Sequence, residues 1–124
     1  MAESDDTGPA RFDRARLGAH GEQLVAEWYL TRGYQVLARN WRCREGEIDL
    51  VLARGTTIVV CEVKTRSGDR HGSPFEAVTR TKARRLRRLS ARWVAECAPF
   101  RPEVLRVDVA GVVGRRVDVI EGAL

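Results

Sequence analysis

A glutamate and a lysine stand two residues apart in the most strand-like segment of the chain, where apolar residues otherwise dominate. Since successive strand residues point to opposite faces of a sheet, Glu62 and Lys64 are predicted to share one face, and Cys61 and Val63 the other. Charged side chains are seldom buried in a strand without a partner. The pair is therefore either an ion bridge at the end of a strand or part of a chemical site.

The preceding strand-like segment favours a chemical site. Here Glu47 and Asp49 alternate with apolar residues, so the two carboxylates are predicted to lie on one face of the strand. The other face is predicted to carry Ile48, Leu50 and Leu52. Two carboxylates thus come close to the Glu62 and Lys64 segment along the chain.

A short link at Arg54 and Gly55 predicts a hairpin between these two segments. In that hairpin Asp49 and Glu62 lie at corresponding heights on neighbouring strands, ~5 Å apart. Two carboxylates at such a distance repel each other unless a proton or a cation compensates. Because ligands made only of oxygen favour Mg²⁺ or Mn²⁺ over zinc, the hairpin predicts a site for one of these ions.

Lys64 completes a set of residues that could hydrolyse a phosphodiester. A metal ion held by Asp49 and Glu62 would contact a phosphate oxygen and lower the pKa of its bound water. The Lys64 ammonium would orient that water or offset the charge that develops on the phosphate in the transition state. Asp49, Glu62 and Lys64 are therefore the predicted catalytic residues, and Mg²⁺ or Mn²⁺ is the predicted cofactor.

The elements that must position these residues follow the order α-β-β-β-α-β-β. Helices are predicted at 15–32, which ends at Gly33, and at 76–97, which ends before Pro99 and Pro102. Strands are predicted at 34–40, 47–53, 56–65, 105–113 and 116–120. A helical crossover would make the third and fourth strands parallel, while strands joined by hairpins would be antiparallel. The predicted fold class is α/β, a mixed sheet with helices on its faces.

Length and composition limit the protein to a single domain. The chain has 124 residues, 44% hydrophobic and 31% charged, and residues 1–14 are predicted to form a flexible tail before one domain at 15–124. No apolar run reaches the ~20 residues that cross a bilayer, and the acidic N-terminal segment is not a signal peptide. A cytoplasmic protein without a membrane partner is expected.

Three widely spaced cysteines indicate neither a disulfide framework nor a zinc cluster. Cys43, Cys61 and Cys97 are instead predicted to be small core residues. Trp28 and Trp93 are also predicted to lie in the core. Trp41 either covers the core or stacks on an exposed base, and the first is favoured.

The formal net charge of +5 favours an anionic partner, of which nucleic acid is the first candidate. The second predicted helix carries seven basic residues between positions 80 and 92. That face is either a solvated surface or a ridge that contacts phosphates. Since none of these residues indicates base recognition, structure-selective binding is expected, to DNA rather than RNA. The predicted nucleic-acid contacts are Arg42, Arg44, Arg66, Lys82 and Arg85.

Four blocks of sequence resemble the YraN-like family of small bacterial proteins: residues 20–22 (HGE), 33–42, 46–50 (GEIDL) and 62–66 (EVKTR). The resemblance covers about residues 15–121. That family is itself similar to the PD-(D/E)xK nuclease superfamily, which includes archaeal Holliday junction resolvases. The resemblance implies a restriction-endonuclease-like fold, in which Asp49 is the motif aspartate and Glu62 and Lys64 form the Glu-x-Lys element.

The resemblance also implies roles for residues outside that element. Glu22 matches a helix glutamate that resolvase-like members use near the metal, which makes Glu22, Asp49 and Glu62 the implied metal ligands. Its alternative role is a carboxylate that the helix dipole favours. Glu47 is either a partner of the metal site or a hairpin charge, and Ile48 stands where the superfamily's name has proline. Resolvase-like enzymes act as symmetric dimers, so a homodimer is expected.

The sequence therefore predicts a metal-dependent endonuclease that acts on DNA, with branched or damaged DNA as candidate substrates. The first alternative is a nucleic-acid-binding module that keeps the fold but lacks hydrolysis. A weaker alternative is a protein-interaction domain whose basic helix docks an acidic partner. The intact set of Asp49, Glu62 and Lys64 favours the enzyme, since decay of a site would tend to remove one member first.

Overall fold

The computed structural model describes residues 9–66 and 79–124, in which two helices flank a five-stranded sheet. The elements follow the predicted order α-β-β-β-α-β-β, and the α/β fold class is confirmed. The helices are α1 (Pro9–Leu30) and α2 (Arg80–Cys97). The strands are β1 (Gln35–Cys43), β2 (Gly46–Arg54), β3 (Thr57–Arg66), β4 (Val104–Val113) and β5 (Arg116–Ile120).

The strands lie side by side in chain order. Neighbours joined by short turns are antiparallel, namely β1 with β2, β2 with β3, and β4 with β5. β3 and β4 are parallel, and α2 lies between them along the chain, as a crossover requires. The predicted antiparallel hairpin of β2 and β3 and the parallel pair of β3 and β4 are confirmed.

Each face of the sheet packs against one helix because apolar residues alternate along the central strands. The face toward α1 buries Val25, Tyr29, Leu50, Leu52, Val59 and Cys61. The face toward α2 buries Val51, Ile58, Val60, Leu86, Leu89 and Trp93. The predicted core position of Trp93 is therefore confirmed.

Both helices begin at other residues than predicted. α1 begins at Pro9 rather than at residue 15, and it ends before Gly33, whose φ of 86° suits glycine. α2 begins at Arg80 rather than at residue 76, because Thr79 is extended and its side chain accepts the Lys82 N–H at 3.2 Å as an N-cap. Residues 76–78 of the predicted helix lie outside the described residues.

The structure separates the three cysteines. Cys61 is buried, Cys43 is half-buried and Cys97 is exposed, and all three are free thiols. The prediction of a core position is therefore wrong for Cys97, whose side chain lies on an exposed part of the last turn of α2. Trp93 is buried, and Trp28 and Trp41 are half-buried against the core clusters.

A fully buried carboxylate, Asp108 of β4, ties three parts of the fold together. It accepts hydrogen bonds from the Tyr29 hydroxyl at 2.6 Å, from Arg106 Nε at 2.9 Å and from the Gly122 N–H at 2.8 Å. Burial raises the pKa of Tyr29, and the Asp108 carboxylate adds to that shift, so the phenol stays protonated and donates.

Within residues 9–66 and 79–124, neither helix is long and apolar enough to cross a membrane.

Candidate active site

A cleft of about 320 Å³ between the sheet and α2 brings the three predicted catalytic residues together. Asp49 lines it from β2, and Glu62 and Lys64 line it from β3. The remaining lining residues are Gly46, Glu47, Lys82, Arg85, Leu86, Leu89 and Leu124. The cleft thus joins acidic, basic and apolar side chains, while the catalytic role of the first three remains a prediction.

Glu62 and Lys64 lie on one face of β3, as alternation along the strand predicts. Cys61 is buried on the opposite face, toward α1, and Val63 packs against the same cluster. Lys64 Nζ is 3.3 Å from Glu62 Oε1, and about a quarter of each side chain is exposed. The ion bridge therefore exists, and it is open to the cleft rather than enclosed in the core.

Asp49 lies where β2 and β3 separate. The pairing of these strands ends at Leu50 and Cys61, and in the next position Asp49 Oδ2 accepts the Val63 N–H at 2.8 Å. The carboxylate thus takes the place of a backbone partner and is fixed in direction. It is buried, with 9% of its surface exposed.

The surroundings of Asp49 disfavour its charged form. Burial is the main cause that raises its pKa to about 7, against the lowering effect of the Val63 N–H. The negative charges of Glu62, Glu22 and Glu47 raise it as well. Several carboxylates therefore act on one buried point, where a bound cation would be stabilised.

Glu22 acts on this point from α1, and it does not line the cleft. Burial raises the pKa of Glu22, while a hydrogen bond from the Asn40 side chain lowers it. Asn40 adopts a left-handed φ of 50°, and the pairing of β1 with β2 omits the step at which Asn40 would face Asp49. Sequence reasoning missed Asn40, although asparagine is one of the few residues that tolerate this conformation.

The same irregularity corrects the predicted faces of β2. Leu50 and Leu52 lie toward α1 as expected, but Ile48 packs with Val51 toward α2. The prediction that Ile48 shares a face with Leu50 is therefore wrong. Alternation is broken at Asp49, opposite the left-handed residue of β1, and regular alternation cannot anticipate such a break.

The predicted nucleic-acid contacts fall into two groups. Lys82 and Arg85 line the cleft, and neither has an ion pair with any residue that the structure describes. Arg42, Arg44 and Arg66 do not line it. The Nε of Arg42 is 2.8 Å from Glu47 Oε2, Arg44 is exposed, and Arg66 Nε is buried without a hydrogen-bond partner among the described residues.

The remaining basic residues of α2 serve other purposes. Arg88 Nε and Arg92 Nη1 lie 4.0 and 3.1 Å from the Glu45 carboxylate, which ties α2 to the turn between β1 and β2. Arg84 and Arg87 are exposed. One part of the basic helix is thus solvated surface and another part faces the cleft, and contact of that second part with phosphates remains a prediction.

In the part of the chain that the structure describes, no three His, Cys, Asp or Glu side chains are close enough together to hold a metal ion. Glu22, Asp49 and Glu62 therefore form no three-ligand centre here. Asp49 and Glu62 alone still suit Mg²⁺, which commonly keeps several waters and binds through one or two carboxylates. The excess of negative charge around buried Asp49 is the structural feature that fits such an ion.

Comparison with known proteins identifies relatives that span this site. The model of the uncharacterised protein family UPF0102 matches residues 21–121, from α1 to the end of β5. A UPF0102 protein of Parafrankia sp. (strain EAN1pec) is 52% identical over 101 residues, which cover 82% of this chain and 85% of the relative. A UPF0102 protein of Clavibacter michiganensis subsp. michiganensis is 48% identical over 112 residues, 86% of this chain and 94% of the relative.

Proposed function

This chain belongs to the uncharacterised protein family UPF0102, and from its site we propose that it is a metal-dependent endonuclease of the PD-(D/E)xK type that hydrolyses phosphodiester bonds in DNA. The observation that carries the proposal is the meeting of Asp49, Glu62 and Lys64 in one cleft whose facing wall is basic. As part of the same proposal, the protein acts in the cytoplasm without a membrane partner. A homodimer, with two sites for two strands, is the proposed assembly.

Asp49 and Glu62 are the residues that would hold Mg²⁺ or Mn²⁺. The bound ion would supply Lewis-acid activation of the phosphate and of a water molecule. The Val63 N–H fixes the direction of the Asp49 carboxylate, so little reorganisation is needed when a cation binds. Burial of Asp49 excludes water that would otherwise screen its charge.

Lys64 is the residue that would act on the reacting phosphate. Its ammonium lies on the same side of β3 as Glu62 and is open to the cleft. A cation held there offsets negative charge that develops on the phosphate oxygens in the transition state. The 3.3 Å contact with Glu62 keeps the lysine beside the carboxylates rather than extended into solvent.

Lys82 and Arg85 would bind and orient the DNA backbone. Both lie across the cleft from the carboxylates, and in the described parts of the chain neither is neutralised by an acidic neighbour. Cations that contact phosphates release counterions, so binding should weaken steeply as salt concentration rises. These contacts read no bases, which favours recognition of DNA structure over sequence.

The second candidate function is a nucleic-acid-binding module without hydrolysis. The observation that favours it is the lack of a three-ligand acidic centre among residues 18–66 and 79–124. Such a module would keep the basic wall of the cleft and its salt-sensitive binding. Cleavage is what separates the two functions.

The test is cleavage of labelled single-stranded, duplex and four-way DNA in Mg²⁺ or Mn²⁺. We expect wild-type protein to cut at least one of these substrates, EDTA to stop the reaction, and Glu62→Gln or Lys64→Met to slow it about 100-fold or more. Glu103→Gln, an exposed carboxylate at the opposite end of the sheet, is the matched control and should cut like wild type. DNA binding without cutting by the wild type would support the module instead.

A further inference from the structure

We propose that the cleft takes a single unpaired nucleotide of the DNA, with its base against an apolar wall formed by Leu86, Leu89 and Leu124. This inference rests on the proposed function and names its substrate class, which is DNA in which one nucleotide has left the double helix. The phosphates on either side of that nucleotide would lie between Lys64 and the pair Lys82 and Arg85.

The walls of the cleft differ in their chemistry. The carboxylates and Lys64 suffice for a cation and a phosphate, and three leucines add nothing to the binding of either. A nucleobase, by contrast, has a wide uncharged face that binds well to apolar and aromatic surfaces. The apolar wall therefore matches the part of a nucleotide that the charged residues leave unbound.

The cleft-lining residues of α2 are spaced along one face of the helix. Lys82, Arg85, Leu86 and Leu89 are separated by three, one and three residues, so they lie on the face of the helix that lines the cleft. The face begins with cations and continues with apolar side chains. A nucleotide has the same sequence of properties, from a charged phosphate to an apolar ring.

The volume of the cleft limits what it can hold. A volume of about 320 Å³ holds about ten water molecules at ~30 Å³ each. One nucleobase has a comparable number of heavy atoms. The volume is far too small for a base pair that stays within a duplex. Proteins that need one base in a closed pocket remove it from the stack, and a base that is already unpaired costs least to accommodate.

The apolar wall is held in place by the fold. Gly122 N–H donates to Asp108 at 2.8 Å, and Leu124 N–H donates to the Val107 carbonyl at 3.4 Å, so the segment that carries Leu124 is bonded to β4. Leu86 and Leu89 are buried parts of the core. Leu124 is only half-buried, which makes it the member of the wall that can be changed with least damage to the fold.

The experiment measures DNA binding by Asp49→Asn protein, in which cleavage is blocked. One duplex carries a single unpaired 2-aminopurine and a second is fully paired. We expect the first to bind at least ten-fold more tightly, with a change in 2-aminopurine fluorescence as the base moves into the cleft. Adding Leu124→Gln should remove both effects, so that the two duplexes bind with similar affinity.

Two further variants keep the comparison decisive. Leu105→Gln changes an exposed leucine near the opposite end of the sheet and should leave the preference intact. Leu124→Ala is made alongside, so that the wall is still tested if Leu124→Gln does not fold. Equal binding of the two duplexes, or a preference that both Leu124 variants retain, would overturn the inference.

These outcomes are separable from those of the proposed function. Wild-type protein that cuts duplex DNA in Mn²⁺ but shows no preference for the unpaired nucleotide would leave the nuclease in place and remove this inference. A preference for the unpaired nucleotide that Leu124→Gln abolishes, without any cleavage by the wild type, would support the nucleotide cleft and remove the nuclease.

Discussion

Burial and neighbouring carboxylates both disfavour ionisation of the Asp49 carboxyl. It is buried, and the charges of Glu22, Glu47 and Glu62 add to the cost of ionising it. The hydrogen bond from the Val63 N–H opposes that cost. At neutral pH this group therefore lies close to its point of half-ionisation, and its charge depends on what binds beside it.

This carboxyl predicts how stability changes with pH in the absence of metal. Folding raises the pKa of Asp49 from 3.8 to about 7. Between these two pH values the folded chain therefore keeps a proton that the unfolded chain has lost. That contribution is complete below pH ~4 and is lost as the pH rises through 7. Asp49→Asn removes the loss, so between pH 5 and pH 8 it should gain roughly 2–3 kcal/mol on wild type, at ~1.4 kcal/mol per pKa unit.

Chemical unfolding in EDTA at the two pH values measures this difference. Glu103→Gln, which replaces an exposed carboxylate, is the control, and its free energy of unfolding should follow that of wild type at both pH values. If the curves of Asp49→Asn and wild type stay parallel from pH 5 to pH 8, the carboxyl is not the buried, neutral-pH acid described above.

Single residues differ in how well the sequence predicts them. Glu62 and Lys64 were predictable because alternation along a regular strand fixes their common face. Asn40 and Ile48 were not, since the alternation of faces along β2 breaks at Asp49, where the pairing with left-handed Asn40 is omitted. The ion pair that engages Arg42 was also hidden, because it depends on how the hairpin brings Glu47 alongside.

At the scale of elements, the position of α1 over β3 depends on a glycine. A Cβ at Gly21 would overlap the Thr65 side chain, whereas a Cβ at Gly18 would meet nothing within 4 Å. Gly21 thus lets α1 approach β3 closely, next to the end that carries Lys64. The neighbouring Glu22 is one of the charges that raise the pKa of Asp49.

Two alanine substitutions in α1 should consequently have opposite effects. Gly18→Ala should stabilise the protein by up to about 1 kcal/mol, the gain in helix propensity. Gly21→Ala should destabilise it by about 1–3 kcal/mol, because α1 or Thr65 must move. Thermal unfolding measures both, and Thr65→Ala combined with Gly21→Ala should recover part of the loss. Equal stabilisation by the two alanines would contradict the close approach.

The basic residues of α2 should differ according to the side of the helix on which they lie. Arg84 and Arg87 follow Lys82 and Arg85 by two positions, which is more than half a turn at 3.6 residues per turn. Replacing Lys82 and Arg85 with alanine should lower the slope of log affinity for DNA against log salt by about two. The matched change at Arg84 and Arg87 should lower it by less than half as much.

Fluorescence anisotropy of a labelled duplex over a range of salt concentrations measures both slopes. The two double variants lose the same formal charge from the same helix, so any difference reflects position and not net charge. Equal slopes would mean that the helix attracts DNA through its overall charge and that the cleft wall has no special part.

Elements were predictable where a residue type has one dominant effect. Gly33 and the two prolines after α2 gave the helix ends, and β-branched runs gave the strands. The start of α2 was missed because Thr79 is extended and caps the helix at Arg80. The start of α1 was missed because its first turns lack the apolar spacing that marks a helix.

At the scale of the whole molecule, the net charge of +5 comes from basic residues that differ in whether a carboxylate lies beside them. Arg42, Arg88, Arg92 and Arg106 are each held by a carboxylate. Lys82 and Arg85, which face the acidic wall of the cleft, have no such partner among the described residues. The sheet order, the crossover and the separation of charges thus converge on one cleft, a result that composition alone could not predict.

The measurement that tests this account most directly is a calorimetric titration of Mn²⁺ into wild type, Glu62→Gln and Glu103→Gln. If Asp49 and Glu62 hold the ion, wild type and Glu103→Gln should bind Mn²⁺ with equal affinity. Glu62→Gln should bind it at least about ten-fold more weakly, because one of two carboxylate ligands is gone. No binding by the wild type, or equal binding by all three proteins, would contradict the metal site on which the proposed hydrolysis depends.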